Sequence, residues 1–149
     1  MTILFQVIAS LIISFCFGVV FHVRGKRLVL SSFSGGLGCL VYLLPMLESP
    51  AVSIFLASCA ITIYAEVCAR LLKTPATVFL VGGLIPLVPG GGMYHCMFEL
   101  LEGNLSQAAT TGYQTLLQAG AIAVGMITVS SLFKLYWELR RRAAQGHRR

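Results

Sequence analysis

The stretch PATVFLVGGLIPLVPGGGMY, residues 75–94, decides how this chain folds. It is apolar enough to lie in a bilayer, yet it places Pro86, Pro89 and three successive glycines where a spanning helix should be most regular. Lipid supplies no water to backbone N–H and C=O groups, so a broken backbone at that depth persists only inside protein or beside a wet cavity. The stretch therefore predicts a broken membrane helix and a candidate functional site.

The composition around this stretch indicates an all-α integral membrane protein. Of 149 residues, 57% are hydrophobic and 11% are charged, and the mean hydropathy is +0.86. Soluble domains are about 25% charged. At about 20 residues per crossing, the chain has room for roughly five spans and none for a soluble domain.

Five apolar runs with short connections support this count. The runs cover residues 2–22, 28–47, 51–71, 76–101 and 107–136. The predicted fold is therefore a domain of five transmembrane helices over residues 1–138, with the fourth helix broken by proline and glycine. A basic cytoplasmic tail is expected over residues 139–149.

The distribution of charge predicts the orientation. With five crossings, all eleven lysines and arginines fall on one side of the membrane, and only Glu48 and Glu102 fall on the other. By the positive-inside rule, the N-terminus lies outside and the C-terminus lies in the cytoplasm. If the fourth segment were instead re-entrant, Lys134 and Arg24 would lie on opposite sides of the membrane. Because the basic residues lie in short groups between or after apolar runs, no nucleic acid is expected as a partner.

The broken segment has a chemistry that suits an anion. If a second half-helix begins near Gly91, its free N–H groups and its dipole face the middle of the membrane and favour a carboxylate. Discontinuous helices bind substrate carboxylates in several transporters. The alternative is a proline-kinked helix with glycines for tight packing. The candidate substrate-binding residues here are Pro86, Pro89, Gly90, Gly91, Gly92 and Tyr94.

The fifth apolar run carries a seam of polar and small side chains at helical spacing. Its members are Gln107, Thr111, Gln114, Gln118, Ala121, Gly125 and Thr128. Polar amides at that depth need partners, so the seam either makes interhelical hydrogen bonds or lines the path of a solute. On the second interpretation Thr111, Gln114 and Gln118 are further candidate substrate-binding residues.

Several titratable residues lie within the apolar runs. Glu66 is a candidate proton carrier, although its spacing from Arg70 also fits an ion pair. His95 and Glu99, one helical turn apart, are further candidates for proton coupling. No third ligand accompanies them, so neither a metal nor another cofactor is expected. An enzyme that uses Glu66, His95 and Cys96 is not favoured, since they show no catalytic spacing.

A known family shares these features. The residues Pro75, Val78, Phe79, Pro86, Pro89, Gly90 and Tyr94, followed by a polar fifth helix and a basic tail, resemble the threonine/serine exporter (ThrE) family. More narrowly, the chain is similar to its small-subunit, YjjB-like type, which corresponds to the second half of the full-length exporter.

The resemblance implies export of a small solute across the bacterial inner (plasma) membrane by a multi-pass protein. It implies a larger ThrE-type membrane subunit as a partner in a hetero-oligomer. Threonine and serine are the expected substrates, and a dicarboxylate such as succinate is the alternative. From a different class, a non-transporting assembly or scaffold subunit would use the same small-residue helix faces to dock partner helices.

Overall fold

The computed structural model describes residues 2–44 and 49–146 of the chain. Within those ranges the fold consists of six α-helices, numbered in chain order, and one 3₁₀ turn. They are α1 (Thr2–Val20), α2 (Lys26–Tyr42), α3 (Pro50–Leu71), α4 (Thr77–Leu84), the 3₁₀ turn (Ile85–Leu87), α5 (Gly90–Leu101) and α6 (Leu105–Gly146). Glu48, Arg148 and Arg149, whose charges contribute to the predicted orientation, lie outside the described residues.

The described residues contain no strand, which confirms the all-α prediction. Three helices, α1, α3 and α6, are long and apolar enough to cross a bilayer, and the bent pair Thr77–Leu87 and Gly90–Leu101 makes a fourth span if it is counted as one. α2 has 17 residues and is about 25 Å long, which is shorter than the hydrocarbon layer of a bilayer, about 30 Å thick. The count of five spans and the orientation stay predictions.

The last helix is longer than the apolar run that predicted it. α6 continues without a break from Leu105 to Gly146. The basic segment expected as a separate tail is therefore an extension of the last helix as far as Gly146, and residues 147–149 lie outside the described ranges. The boundary between domain and tail at residue 138 stays a prediction.

α3 and α6 lie side by side and run in the same direction. The Ser58 hydroxyl is close to Gly125, and further along both helices the Arg70 guanidinium lies 4.6 Å from the centre of the Trp137 ring. Since α3 ends where α6 also approaches its end, the chain between them must return along the bundle. The segment that contains α4 and α5 lies on this return path.

α2 and α4 cross in close contact through small residues. The hydroxyls of Ser31 and Ser34 donate hydrogen bonds to the carbonyl oxygens of Val78 and Phe79, at 3.1 and 2.9 Å. A Cβ added to Gly82 would lie 2.9 Å from the carbonyl oxygen of Ser31. Close backbone approach of this kind is a common basis of helix association in lipid. The small-residue cluster of α2 thus has a defined partner in the first half of the broken helix.

Two clusters of buried apolar side chains fill the bundle. One contains Ile54, Ala57, Ile61, Leu87 and Ile122, and the other contains Ala65, Cys68, Ala69 and Phe79. Phe79 has no exposed surface. Because Leu87 belongs to the first cluster, the 3₁₀ turn that ends the first half-helix is anchored in the core.

Replacing Gly82 with alanine tests the contact between α2 and α4. The added methyl group would meet the Ser31 carbonyl group, so overpacking should lower the free energy of unfolding by about 1–3 kcal/mol. Unfolding in mixed micelles of mild detergent and SDS, followed by circular dichroism, measures this change. Gly120→Ala is the matched control, because a Cβ there has no atom within 4 Å and alanine is the better helix former. Equal unfolding free energies for the two variants would contradict the contact.

Candidate functional site

The helix breaks at the prolines that predicted the break. α4 ends at Leu84, the 3₁₀ turn follows, and Val88 takes extended backbone angles of φ −60° and ψ 129°. Pro89 has no amide hydrogen, and α5 begins at the next residue. The two halves are bent by 45° relative to each other. Residues 86–89 form the joint between the two half-helices.

The first amide groups of α5 are only partly used. The Gly90 N–H donates to the Val88 carbonyl oxygen at 2.7 Å, and the Met93 N–H donates to the carbonyl oxygen of the joint's second proline at 3.2 Å. The N–H groups of Gly91 and Gly92 have no backbone acceptor among the residues that the structure describes. Free amides together with the aligned peptide dipoles make a helix N-terminus attractive to anions.

The three glycines at the start of α5 have different surroundings. A Cβ added to Gly90 or Gly91 would have no atom of the described chain within 4 Å. A Cβ added to Gly92 would meet the Thr115 hydroxyl on α6. Gly92 therefore has a packing role, whereas Gly90 and Gly91 leave their backbone accessible to a molecule outside this chain.

α5 is held against α6 by small side chains. The Cys96 thiol donates to the carbonyl oxygen of Ala108 at 3.3 Å, and Gly112 lies beside the same thiol. The turn between the helices passes through Gly103, whose φ of 81° suits glycine. No residue of α5 is fully buried. The second half of the broken helix is therefore an antiparallel partner of α6 with a shallow interface.

A cavity of about 170 Å³ lies against the joint. Its lining residues are Tyr42, Ile54, Pro86, Leu87, Val88, Pro89 and Gln118. Three predicted binding residues, Pro86, Pro89 and Gln118, thus come together in one place. The polar side chains in the lining are Tyr42 and Gln118, which supply one hydroxyl and one amide.

A second cavity of about 190 Å³ lies where α3 begins. It is lined by Ser49, Pro50, Ala51, Gln114, Leu117 and Gln118. The predicted residue Gln114 is found here rather than at the joint. Gln118 lines both cavities, so the two adjoin at that side chain.

Two predicted binding residues lie away from both cavities. Tyr94 is 66% exposed, and its ring stacks on Phe98 with the ring centres 6.3 Å apart. Thr111 is half-buried on α6, where its carbonyl oxygen accepts a hydrogen bond from the Thr115 hydroxyl at 2.7 Å. Contact of Tyr94 or Thr111 with a solute stays a prediction.

Glu66 is engaged with a cation. Arg70 Nη2 donates to Glu66 Oε2 at 3.1 Å. The same guanidinium lies over the rings of Phe133 and Trp137, at 5.4 and 4.6 Å from their centres. The geometry therefore has the ion pair that the spacing allowed, within α3, and the stacking of Arg70 on the two rings joins α3 to α6. A proton-carrying role for Glu66 stays a prediction.

His95 and Glu99 lie one turn apart on α5 without an ion pair between them in the described part of the chain. His95 is exposed, with its ring edge-on to Tyr94 at 5.5 Å between centres. Glu99 is half-buried, and its Oε2 is buried with no hydrogen-bond partner among the described residues. Proton coupling through this pair also stays a prediction.

Tyr42 and Ser49 line the cavities and were not predicted. Tyr42 is the last residue of α2, and Ser49 directly precedes the first residue of α3. The sequence signal was weak: a tyrosine and a serine flank one short connection, at the end opposite the basic residues. Nothing in either residue type alone distinguishes it from an ordinary residue at a helix end.

A double-mutant cycle tests whether Glu66 and Arg70 act as a structural pair. Glu66→Gln, Arg70→Gln and the double variant should give a coupling free energy of about 0.3–1 kcal/mol in unfolding experiments, as for other partly exposed i,i+4 pairs. Arg70→Gln should cost more than Glu66→Gln, because it also removes the cation–π contacts. Strictly additive effects would contradict the pairing.

One comparison with known proteins found a family that this chain matches. The family described as "Threonine/Serine exporter, ThrE" matches residues 6–132, a range that includes the joint and both cavities. No curated protein and no solved structure matches the chain. Together with the long apolar helices, the match indicates a membrane transport protein, as the resemblance implied. The chain belongs to the threonine/serine exporter family, ThrE.

Proposed function

We propose that this chain is the smaller subunit, corresponding to the second half, of a secondary exporter for small carboxylate-bearing solutes. Threonine and serine are the first candidates, and the chain acts with a larger ThrE-type subunit in the bacterial inner membrane. The observation that carries the proposal is the open N-terminus of α5, which begins one residue after the cavity-lining Pro89.

The chemistry of this place suits an amino acid with a hydroxyl group. The free N–H groups of Gly91 and Gly92 provide donors for a carboxylate, and the positive end of the α5 dipole adds to their attraction. In the adjoining cavity, the Tyr42 hydroxyl and the Gln118 amide provide neutral donors and acceptors. A carboxylate at the helix end would thus leave the side-chain hydroxyl of threonine or serine near groups that can bind it.

The directions of the helices support the five-span topology with the N-terminus outside. α3 and α6 are parallel, so the bent pair α4 and α5 acts as one crossing, and α2 is the remaining short one. With that arrangement the lysines and arginines lie on the cytoplasmic side. A partner with an odd number of crossings and the opposite orientation would complete an inverted repeat.

The surroundings of α5 support the need for a partner subunit. Gly90 and Gly91 have open space beside them, and the neighbouring Met93, Tyr94 and Met97 are all at least 60% exposed. A site whose backbone amides are exposed at membrane depth must be covered by protein or by a wet cavity. This chain supplies one wall of that site, and the larger subunit supplies the other.

Proton coupling is part of the proposal. Among the three candidates, Glu99 is the best placed, because one of its carboxylate oxygens is buried without a partner among the described residues. The carboxylate of Glu66 is already engaged with Arg70. His95 is exposed on the same half-helix and offers a site that can accept a proton near Glu99.

Replacing Gly91 with valine tests the site. The added Cβ would have no atom of the described residues within 4 Å, so the variant should fold and insert, but its side chain would cover the free amides of α5. Loss of hydrogen bonds to a carboxylate should reduce export by about ten-fold or more. The measurement is intracellular threonine after feeding a threonine-containing dipeptide to cells that express this chain with its larger subunit.

Gly120→Val is the matched control, because Gly120 is equally open but lies on α6 away from the joint. It should export like the unmodified chain. Undiminished export by Gly91→Val at normal membrane levels would contradict the site. A threonine pool that the unmodified pair does not lower would contradict threonine export. Export of succinate instead of threonine would support the dicarboxylate alternative. Assembly with the larger subunit without export of either solute would support the scaffold alternative.

A further inference from the structure

Gln118 lies between two cavities that reach different parts of the bundle. On one side is the cavity at the joint, with Pro89 and Tyr42 in its wall. On the other side is the cavity lined by Gln114 and Ser49, at the start of α3. Because one side chain lines both, Gln118 can contact a solute in either cavity.

The two cavities are alike in size and chemistry. Their volumes of about 170 and 190 Å³ are each at least ten times the roughly 10–15 Å³ that a single water requires. No charged side chain is in either lining; the polar ones are Tyr42, Ser49, Gln114 and Gln118. Neutral groups can replace the hydration of a small polar solute while binding it weakly enough for release, which a transport path requires.

In the opposite direction, packed helices separate the joint from a further cavity of about 190 Å³, lined in part by Ser31, Val78 and Gly82. Towards the end that carries Arg70, α4 lies directly on α2, with the Ser34 hydroxyl bonded to the carbonyl oxygen of Phe79 at 2.9 Å. The Phe79 side chain has no exposed surface, and Leu87 within the joint is 8% exposed. The space at the joint therefore adjoins the end at which α2 ends and α3 begins, and packed side chains separate it from the basic end.

The geometry points to Gln118 as the selectivity residue between a binding cavity at the joint and an exit cavity at the start of α3. This inference rests on the proposed function. The amide offers an N–H donor and a carbonyl acceptor, so it can pair with both the carboxylate and the ammonium group of one amino acid. A dicarboxylate uses only the donor, and the unpaired acceptor disfavours it. Gln118 thus selects zwitterions over dicarboxylates.

Removing the amide tests the selectivity. In cells that also express the larger subunit, Gln118→Leu keeps the bulk of the side chain and should reduce threonine export by about ten-fold. The ratio of threonine to succinate export should fall with it. Gln107→Leu is the matched control, because Gln107 is a glutamine of the same helix that lines neither cavity. Tyr42→Phe, which removes one hydroxyl, should give a smaller loss of about three-fold.

Thiol labelling tests the path independently of export. With wild-type labelling of the five native cysteines as the baseline, Gln114→Cys and Gln118→Cys should react with a small membrane-impermeant thiol reagent added outside the cell. Thr128→Cys, an exposed position further along α6, should not react, because Thr128 lines neither cavity. Threonine in excess should slow the reaction at Gln118→Cys.

The outcomes separate this inference from the proposed function. If Gln118→Leu exports threonine like Gln107→Leu while Gly91→Val does not, the selectivity role is wrong and the exporter stands. If neither glutamine position is labelled from outside, or both are labelled only from inside, the exit path is wrong. If Gln118→Leu is absent from the membrane, Gln118→Met, which also lacks the amide, takes its place, and normal export with unchanged selectivity would count against the role. If the unmodified pair exports nothing, the proposed function fails, and labelling still decides whether the path exists.

Discussion

Two hydrogen bonds from serines of α2 to carbonyl groups of α4 fix the part of the molecule on which the joint depends. α4 has only eight residues, too few for a helix that is stable without tertiary contacts. Ser31 and Ser34 donate to carbonyl oxygens within it, and Gly82 lets the two backbones approach closely. Because lipid gives no hydrophobic drive between helices, such polar and close-packed contacts determine where α4 lies. The 3₁₀ turn and the joint follow from that position.

The two halves of the broken helix are supported by different neighbours. α4 is held by α2, and Leu87 after it is anchored in the core beside α3 and α6. α5 is held by α6 through Gly92 and Cys96, with no fully buried residue of its own. The joint is therefore the point where two separately supported segments meet. Its backbone groups do not have to continue the hydrogen-bond pattern of a single helix. This arrangement leaves free amides at the start of α5 without destabilising the rest of the bundle.

The break could be predicted from sequence because its causes are local. Pro86 and Pro89 remove amide donors wherever they occur, and glycine frees the backbone in any context. The cavities could not be predicted, because they need the end of α2, the start of α3 and the middle of α6 to meet. Tyr42 lines a cavity only because these three segments come together.

The seam on α6 illustrates the same limit. In the sequence it is one continuous line, but in the structure Gly125 packs against Ser58 of α3 while Gln118 lines the cavities. Packing thus describes the part of the seam at Gly125, and a solute path at Gln114 and Gln118 stays a prediction. Periodicity predicts which residues share a face, and it does not predict where the neighbouring helix leaves that face. Tyr94 was expected at the site from its distance to the joint, yet it lines neither cavity.

The unbroken length of α6 has a mechanical consequence. Its 42 residues make a rod about 63 Å long, roughly twice the thickness of the hydrocarbon layer. One end carries α5 through the turn at Gly103, and the other continues beyond Leu71, where α3 ends. A rod that pivots within the bilayer moves its two ends in opposite directions. Any tilt of α6 that accompanies a movement of α5 is therefore transmitted to the far end of the rod, where an aqueous probe could detect it.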